Sequence, residues 1–231
     1  MDIKAEVFPD TREAAAGQER PRIKVSVPDK PTYRVIKRIA DVLLSLFGII
    51  VLFVPVLIVA IIVLIDSPGA SPIYVSKRIG KNGRTFNFYK IRTMVPNADQ
   101  MLEKILHENE MDGPVFKIKN DPRITRIGRF LRKTSIDELP QLWNVLKGDM
   151  SLVGPRPPIP REVQQYDEYQ YQRLLVTPGI TCYWQVQPKR NSLSFDEWLE
   201  LDIKYINEMS FKTDVKILFK TIGAVCGLEG E

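Results

Sequence analysis

An uncharged apolar run at residues 42–65, VLLSLFGIIVLFVPVLIVAIIVLI, constrains this chain more than any other feature. As a straight helix rising ~1.5 Å per residue, the run would span about 36 Å, enough to cross the ~30 Å hydrocarbon core of a bilayer. A core helix of a small domain is rarely apolar over such a length. The sequence therefore predicts a helix inserted in a membrane.

Whether this helix crosses the membrane depends on its flanks and on Pro55. Cations stand on both sides of the run, at Arg34, Lys37, Arg38, Lys77, Arg78, Lys81 and Arg84. The positive-inside rule therefore has no asymmetry on which to act. Pro55 lies near the middle and removes a backbone hydrogen bond. A helix that bends at Pro55 and re-enters the same side keeps both flanks cytoplasmic, while a straight span stays open because spanning helices tolerate proline.

A pair of adjacent carboxylates, Asp137 and Glu138, lies in the stretch RFLRKTSIDELPQLWNVLKGDMSLVGPRP. Pro140 fits only the first turn of a helix, because deeper inside it would remove a hydrogen bond. The apolar spacing that follows predicts a helix from near Asp137 to about Gly148. The pair would then sit at a helix N-terminus, where unpaired N–H groups and the helix dipole favour anions.

A purely structural role for the pair is the alternative. An acidic pair at a helix start is ordinary capping chemistry, and Ser135 with Glu138 also fits a capping box. The surrounding charge favours chemistry instead. Residues 117–133 are strongly basic and deliver Arg132 just before the carboxylates, and Arg156 follows in a Pro-Arg-Pro turn. Sparse aromatic residues there favour small phosphorylated ligands over nucleic acid.

Composition narrows the available chemistry. The chain has 231 residues, 33 Lys and Arg against 28 Asp and Glu, 2 Cys and 1 His. Its single His, His107, lies in a charged stretch and argues against His-rich metal sites and Ser-His catalysis. The cysteines show no zinc-ligand spacing and no disulfide framework. Acid–base and metal chemistry would therefore fall to carboxylates.

The remaining patterns predict local structure. They are a mobile segment at 1–31, a hairpin or a strand after a turn in the basic stretch 77–92, a helix over 97–110, a surface helix over 162–175, a strand-like stretch over 180–186, a helix capped by Ser194 and Glu197, and a helix over 213–225. The last carries Lys212, Lys216 and Lys220 on one stripe. It is predicted to lie in the membrane interface or to pack on the core.

These features together indicate phosphate chemistry at a membrane surface. Aspartate is a competent nucleophile toward phosphorus and forms an acyl phosphate. Mg²⁺ takes oxygen ligands and commonly holds substrate phosphates through one or two carboxylates, a role open to Glu138. Arg132 and Arg156 offer charge for a diphosphate. Metal-assisted phosphoryl transfer follows, but residue spacing alone specifies neither a sugar nor a lipid.

Four blocks of the sequence resemble the bacterial monotopic phosphoglycosyl transferases, also called bacterial sugar transferases. The blocks are KRIAD before the apolar run, FNFYKIRTM, the long NDPRITRIGRFLRKTSIDELPQLWNVLKGDMSLVGPRP, and TPGITCYWQV. The resemblance implies transfer of a sugar 1-phosphate from a UDP-sugar to undecaprenyl phosphate with release of UMP. This would be the first membrane step of surface polysaccharide or glycan assembly. The block SFDEWLELDIKYI is similar to members that use hexoses.

The resemblance also implies roles for individual residues. Asp137 would be the nucleophile that forms a covalent sugar-phosphoryl intermediate, and Glu138 would bind Mg²⁺. Arg132 and Arg156 would serve the phosphates or the nucleotide. Lys90 and Arg92 of the YKIRTM block are weaker candidates for the same role or for the prenyl phosphate, and they complete the predicted substrate-binding set. Pro55 would mark the break of the membrane helix.

The implied architecture is an α+β, mostly helical fold. A re-entrant membrane helix and amphipathic interfacial helices would surround a small cytosolic catalytic core. The expected parts are the mobile segment 1–31, the membrane helix with its basic flank over 32–66, and a membrane-surface catalytic domain over 67–231. The chain would be a compact form without an N-terminal spanning bundle, monotopic in the bacterial inner membrane, with a homodimer left open.

Two departures from the family pattern stand out. Many relatives break the membrane helix at Ser-Pro, whereas this chain has Val54 before Pro55. Relatives often have Gly after the Thr of the PGIT block, whereas this chain has Cys182 followed by Tyr183, a change that could alter the sugar pocket. Two alternatives to the enzyme with a covalent intermediate are a non-catalytic UDP-sugar-binding scaffold and an enzyme in which the lipid attacks directly.

Overall fold

The long apolar helix is the first element of the computed structural model, which describes residues 25–188 and 190–227. Helix α1 runs from Pro31–Asp66, and the chain is helical on both sides of Pro55. Among the described residues it is the one helix long and apolar enough to cross a membrane. The predicted bend at Pro55 stays a prediction.

A β-hairpin follows α1, as the basic stretch after the apolar run predicted. Strands β1 (Ile73–Ile79) and β2 (Thr85–Ile91) pair antiparallel, with Ile79 opposite Thr85 beside the turn. Asn82 has φ 55° and Gly83 has φ 78°, both in the left-handed region that Asn and Gly tolerate best. The Lys-Asn-Gly sequence therefore closes the hairpin.

The remaining elements are mostly helical. In chain order they are α2 (Ala98–Ile105), α3 (Arg126–Lys133), α4 (Gln141–Lys147), β3 (Ser151–Val153), α5 (Pro160–Val163), α6 (Glu168–Tyr171), β4 (Gly179–Thr181), α7 (Phe195–Glu208) and α8 (Phe211–Cys226). Strands β3 and β4 pair in parallel. The predicted mostly helical α+β fold is confirmed.

Two predictions of secondary structure for the part of the chain after β3 are wrong. The helix expected over 162–175 is broken, because the Asp167 side chain accepts a hydrogen bond from the Gln170 backbone N–H and starts a new helix, α6. The strand-like stretch expected over 180–186 ends at Thr181. Its partner β3 ends at Val153, and Pro155, which has no N–H, lies just beyond.

Helix α1 packs against the rest of the chain rather than standing apart. Arg38 donates to the carbonyls of Val145 and Leu146 at the end of α4, at 2.6 and 2.8 Å. A Cβ added to Gly48 would lie 3.0 Å from a Leu142 methyl group, so the glycine allows α1 to approach α4 closely. Further along, Val63 is buried in an apolar cluster with residues of β2 and α3.

Residues 25–30 and the two C-terminal helices, α7 and α8, pack together on the same domain. In α7 and α8, Tyr205, Ile206 and Ile217 form the centre of an apolar core. Val25 and Val27 pack against this core, so residues 25–30 are held on the domain. The prediction of a mobile segment stays a prediction for residues 1–24, which lie outside the described residues.

Candidate active site

The carboxylate pair lies in a tight turn and not in the first turn of an α-helix. Ser135 takes a left-handed conformation with φ 56°, and residues Ile136–Glu138 form a 3₁₀ turn. Pro140 is the N-cap of α4, which begins only at Gln141. The predicted helix start at Asp137 is therefore wrong. The left-handed Ser135 reverses the chain, and Ser135 makes no side-chain capping bond, so the capping-box alternative fails as well.

A buried asparagine of α4 brings the hairpin to this turn. Asn144, fully buried, accepts a hydrogen bond from the Tyr89 backbone N–H at 3.2 Å and donates to the Asn87 carbonyl at 2.6 Å. These bonds satisfy the outer edge of β2, which would otherwise be unpaired. Lys90, the next residue, is thereby placed over the turn that carries Asp137.

The two carboxylates lie beneath cations. The Lys90 ammonium is 3.3 Å from the Asp137 carboxylate and 2.9 Å from that of Glu138, and Arg156 is 3.2 Å from Glu138. The Asp137 side chain is 3% exposed, whereas those of Lys90 and Arg156 are 20% and 23% exposed. An anion that enters the site therefore meets the cations before it meets Asp137.

The same surroundings move the two pKa values in opposite directions. Burial raises the pKa of Asp137 above its usual range, and the neighbouring Glu138 charge adds to this, although Lys90 opposes it. Burial also disfavours the Glu138 carboxylate, but Lys90 and Arg156 outweigh burial and lower the pKa of Glu138 to about 2. Glu138 is therefore ionised at neutral pH, whereas burial disfavours the ionised form of Asp137.

A substitution of Lys90 tests this electrostatic arrangement. Removing the cation in Lys90→Gln withdraws the effect that lowers the pKa of Asp137, so that pKa rises further. If the ionised form of Asp137 does the chemistry, activity falls as pH drops through this pKa. We therefore expect the acid limb of the pH–rate profile to move to higher pH in the variant. An unchanged acid limb would show that Lys90 does not govern the ionisation of Asp137.

The other predicted binding residues differ in their distance from the pair. Arg132, in the last turn of α3, donates to the Thr93 hydroxyl at 3.0 Å, and its charge lowers the pKa of Asp137. Arg92 points elsewhere. It donates to the Ser71 carbonyl at 2.7 Å, lies over the Tyr74 ring, and makes no described contact with the carboxylates. The site therefore gathers Lys90, Arg132 and Arg156, but not Arg92.

Two further arginines support the site, and the sequence did not single them out. Arg78 donates to the Pro157 carbonyl at 3.0 Å, and burial together with Arg156 lowers its pKa to about 10. Buried Arg173 donates to the Arg156 carbonyl at 3.3 Å and pairs with fully buried Asp202 at 2.5 Å. The only sequence signal for Arg78 was its place in the basic hairpin, and none pointed to Arg173.

Cys182 and Tyr183, the residues that depart from the family pattern, make no described contact with the carboxylates. Cys182 is 1% exposed and packs in a cluster with Trp184 and Trp198, whose rings stack at 4.2 Å. Burial raises the pKa of the thiol, which keeps it neutral. Tyr183 donates to Glu208 at 3.0 Å. Cys182 therefore fills core volume where the family often has glycine.

The carboxylate pair is the candidate donor set for a metal at this site. Within residues 25–188 and 190–227 no group of three or more His, Cys, Asp or Glu side chains is placed to hold a metal ion. Two adjacent carboxylates still fit Mg²⁺, which is commonly held by one or two carboxylates with substrate phosphates and water completing its shell. Glu138, ionised and 17% exposed, is the better placed of the two.

Fold and site together define a class of protein. A long exposed apolar helix packs on a small α+β domain, and the domain's carboxylates lie under an excess of cations. This arrangement suits a membrane-associated protein that binds a phosphorylated anion. Residues 32–227 match the family model described as bacterial sugar transferase, and the chain belongs to that family.

Relatives agree with this membership. The chain is 44% identical over 196 residues to the galactosyl transferase CpsE of Streptococcus agalactiae serotype III, covering 85% of this chain and 43% of the relative. It is 41% identical over 206 residues to the undecaprenyl-phosphate galactose phosphotransferase of Salmonella typhimurium, covering 87% of this chain and 42% of that protein.

A third relative is matched over most of its length. The exopolysaccharide production protein ExoY of Rhizobium meliloti is 39% identical over 201 residues, covering 85% of this chain and 88% of the relative. In contrast, the chain spans less than half the length of the CpsE and Salmonella typhimurium proteins. The predicted family is confirmed.

Proposed function

We propose that this protein transfers a sugar 1-phosphate from a UDP-sugar to undecaprenyl phosphate and releases UMP. The observation that carries the proposal is the buried Asp137 carboxylate beneath Lys90, with Arg132 and Arg156 close by. Such a site offers a nucleophile for phosphorus together with charge for a diphosphate. The names of the relatives cited above support a sugar donor and a polyprenyl phosphate acceptor.

The proposed reaction has two steps. In the first, an Asp137 oxygen attacks the β-phosphorus of the UDP-sugar, and the bond from that phosphorus to the bridging oxygen breaks. UMP leaves with the electron pair, and a sugar-phosphoryl aspartate remains. In the second, a phosphate oxygen of the lipid attacks the same phosphorus. The bond to Asp137 breaks, which restores the carboxylate and gives a lipid-diphosphate sugar.

The cations prepare the site for the first step. When a diphosphate enters, it competes for Lys90 and Arg156, which otherwise lie against the carboxylates at 2.9 to 3.3 Å. Their transfer to the diphosphate uncovers Asp137 and neutralises charge on the phosphates as UMP departs. Burial of Asp137 keeps its carboxylate poorly solvated, which favours attack over hydration.

Mg²⁺ held by Glu138 would supply further neutralisation of the diphosphate. Replacing the charged ligand in Glu138→Gln should raise the Mg²⁺ concentration for half-maximal activity at least ~10-fold, because metal-site substitutions commonly cost that much in affinity. Glutamine keeps an oxygen that can accept hydrogen bonds from Lys90 and Arg156, so folding should survive. A Mg²⁺ titration superimposable on wild type would remove Glu138 from the metal site.

We further propose that α1 inserts from the cytoplasmic face of the inner membrane without crossing it. The domain contacts α1 near both ends, at Arg38 with the α4 carbonyls and at Val63 with Leu131. These positions are about 38 Å apart along a helix rising ~1.5 Å per residue, more than the ~30 Å hydrocarbon core. A straight crossing would draw the charged domain into hydrocarbon, whereas α1 lying along one leaflet would not.

Cysteine labelling checks this topology. Arg34 lies in the first turn of α1, Lys77 lies in β1 beyond its other end, and both are exposed. In a background without the two native cysteines, Arg34→Cys and Lys77→Cys should react with a membrane-impermeant maleimide only after the cytoplasmic face is opened. Labelling of the two sites from opposite faces would establish a full crossing and contradict the proposal.

UMP release from a panel of UDP-sugars tests the function itself. The protein in lipid, with Mg²⁺ and undecaprenyl phosphate, would be offered UDP-galactose, UDP-glucose and their N-acetylated forms. We expect UMP with a hexose donor, since the relatives cited include a galactosyl transferase and a galactose phosphotransferase. Nucleotide binding by folded protein without UMP from any donor would favour a UDP-sugar-binding scaffold.

A further inference from the structure

An apolar groove of about 260 Å³ lies between α1, the hairpin and α4. Its lining is almost entirely apolar and comes from Ile49, Leu52, Phe53, Val56, Ile73, Tyr89, Leu139, Pro140, Leu142 and Trp143. One wall is thus the membrane helix, and the opposite wall is the start of α4, directly after the carboxylate turn. The groove therefore lies between the membrane helix and the segment that follows the carboxylate turn, and the proposed function depends on both.

One end of the groove opens toward the membrane-facing surface. Phe53 is 63% exposed and Trp143 is 51% exposed although both line the groove. Next to them on α1, Ile50 and Val54 are 68% and 59% exposed. Exposed apolar side chains in this number on one helix would be covered by lipid in a membrane-bound protein. The groove is therefore continuous with the surface that meets hydrocarbon.

The other end of the groove adjoins the charged site through the chain itself. Leu139 and Pro140 line the groove, and Glu138 directly precedes Leu139 in the carboxylate turn. The Lys90 ammonium lies between Asp137 and Glu138, at 3.3 and 2.9 Å. An elongated molecule with an apolar chain and a phosphate at one end would place its phosphate at Lys90.

We propose that this groove holds the first isoprene units of the lipid phosphate acceptor and aims its phosphate at the phosphorus carried by Asp137. The inference rests on the proposed function and extends it to an acceptor site. The volume lies below the ~300–1,000 Å³ of pockets that enclose whole small molecules, so it suits a short part of one linear chain. The remainder of the chain stays in the bilayer, beyond Phe53 and Trp143.

The groove orients the acceptor and adds little to its affinity for the membrane. Lipid tails are as apolar as the groove lining, so moving the chain from bilayer to groove gains little hydrophobic free energy. Holding the phosphate in line with the reacting phosphorus, in contrast, raises the rate of an otherwise bimolecular step. The groove residues should therefore govern the second step and leave the first step unaffected.

Two groove variants and a matched control test whether the groove affects only the second step of the reaction. Phe53→Ala and Trp143→Ala remove exposed rings that line the groove, and their exposure means that neither leaves a buried cavity. Phe47→Ala is the control, because Phe47 is 65% exposed on the same helix but does not line the groove. Each protein in lipid would first receive the UDP-sugar alone, and then vesicles containing undecaprenyl phosphate.

The two steps are read separately. We expect equal bursts of UMP in all four proteins, followed by a rate of sugar-phosphate transfer to the lipid that is ~10-fold lower or more in the groove variants than in wild type and Phe47→Ala. Transfer by Phe53→Ala and Trp143→Ala at the rate of Phe47→Ala would overturn the inference. Absence of the UMP burst from wild type would instead count against the proposed function.

Photocrosslinking tests the proposed acceptor site without a measurement of activity. A polyprenyl phosphate with a diazirine on its first isoprene unit would be irradiated with the wild-type protein in vesicles. We expect the label on the groove segments 49–56 and 139–143, and competition by unlabelled undecaprenyl phosphate. Competed labelling confined to other segments, such as exposed α8 residues Phe219 and Ile222, would place the acceptor elsewhere and contradict the inference.

Discussion

Asp137→Asn is expected to lose at least ~10³-fold of the transfer rate while the protein remains folded, since removing a catalytic nucleophile usually costs this much or more. The amide is nearly isosteric with the carboxylate but does not attack phosphorus. Burial already raises the pKa of Asp137, so the fold disfavours the charged form, and a neutral replacement should cost little stability. Lys90 keeps its contact with Glu138 at 2.9 Å.

The measurement is the rate of UMP release, with folding followed by thermal unfolding and by UDP-sugar binding. Asp99→Asn is a matched control, because Asp99 is an exposed acid in the first turn of α2. It should change neither activity nor stability appreciably. Unfolding of Asp137→Asn would show that the carboxylate is needed for the turn and would void the inference from lost activity. Near wild-type activity in the folded variant would exclude Asp137 as the nucleophile.

Gly179→Ala is expected to cause the largest loss of stability. A Cβ at Gly179 would lie 2.1 Å from the backbone nitrogen of Gly154, where β4 pairs with β3. Backbone has no rotamer by which to move away, so the two strands must separate. We expect the free energy of unfolding to fall by ~3 kcal/mol or more. The melting temperature should fall by roughly 10 °C for a chain of this size.

Gly223→Ala provides the opposite case on α8. Nothing lies within 4 Å of a Cβ at Gly223, and the position is inside a helix. Alanine there should raise stability by up to ~1 kcal/mol through helix propensity.

Gly179→Ala should also lower activity, because β3 leads directly to the loop that carries Arg156. A melting temperature for Gly179→Ala equal to that of wild type would show that the strand pair tolerates separation.

Local patterns in the sequence were enough to predict several elements. The apolar run required a long helix, Lys-Asn-Gly closed the hairpin, and Ser194 with Glu197 started α7 through the expected capping box. Each of these signals lies within a few residues of the structure it determines. The charge around the carboxylates indicated Arg132 and Arg156, and the family resemblance added Lys90. The structure brings these cations to the same site.

Contacts between distant residues could not be predicted from such patterns. Lys90 reaches Asp137 only because Asn144 holds β2 against α4, and no periodicity in the sequence encodes that bond. The left-handed Ser135 was missed because serine rarely adopts that conformation. The pair of Arg173 with Asp202 was missed because α7 brings Asp202 back from 29 residues away.

The most direct test of the central claim is the mass of the protein after incubation with its UDP-sugar and Mg²⁺ in the absence of lipid phosphate. We expect a mass increase of one sugar phosphate, located at Asp137 by peptide mapping, together with about one UMP per protein. Later addition of undecaprenyl phosphate should discharge the adduct. UMP release that strictly requires the lipid, with no adduct at any time, would contradict the account and establish direct attack by the lipid.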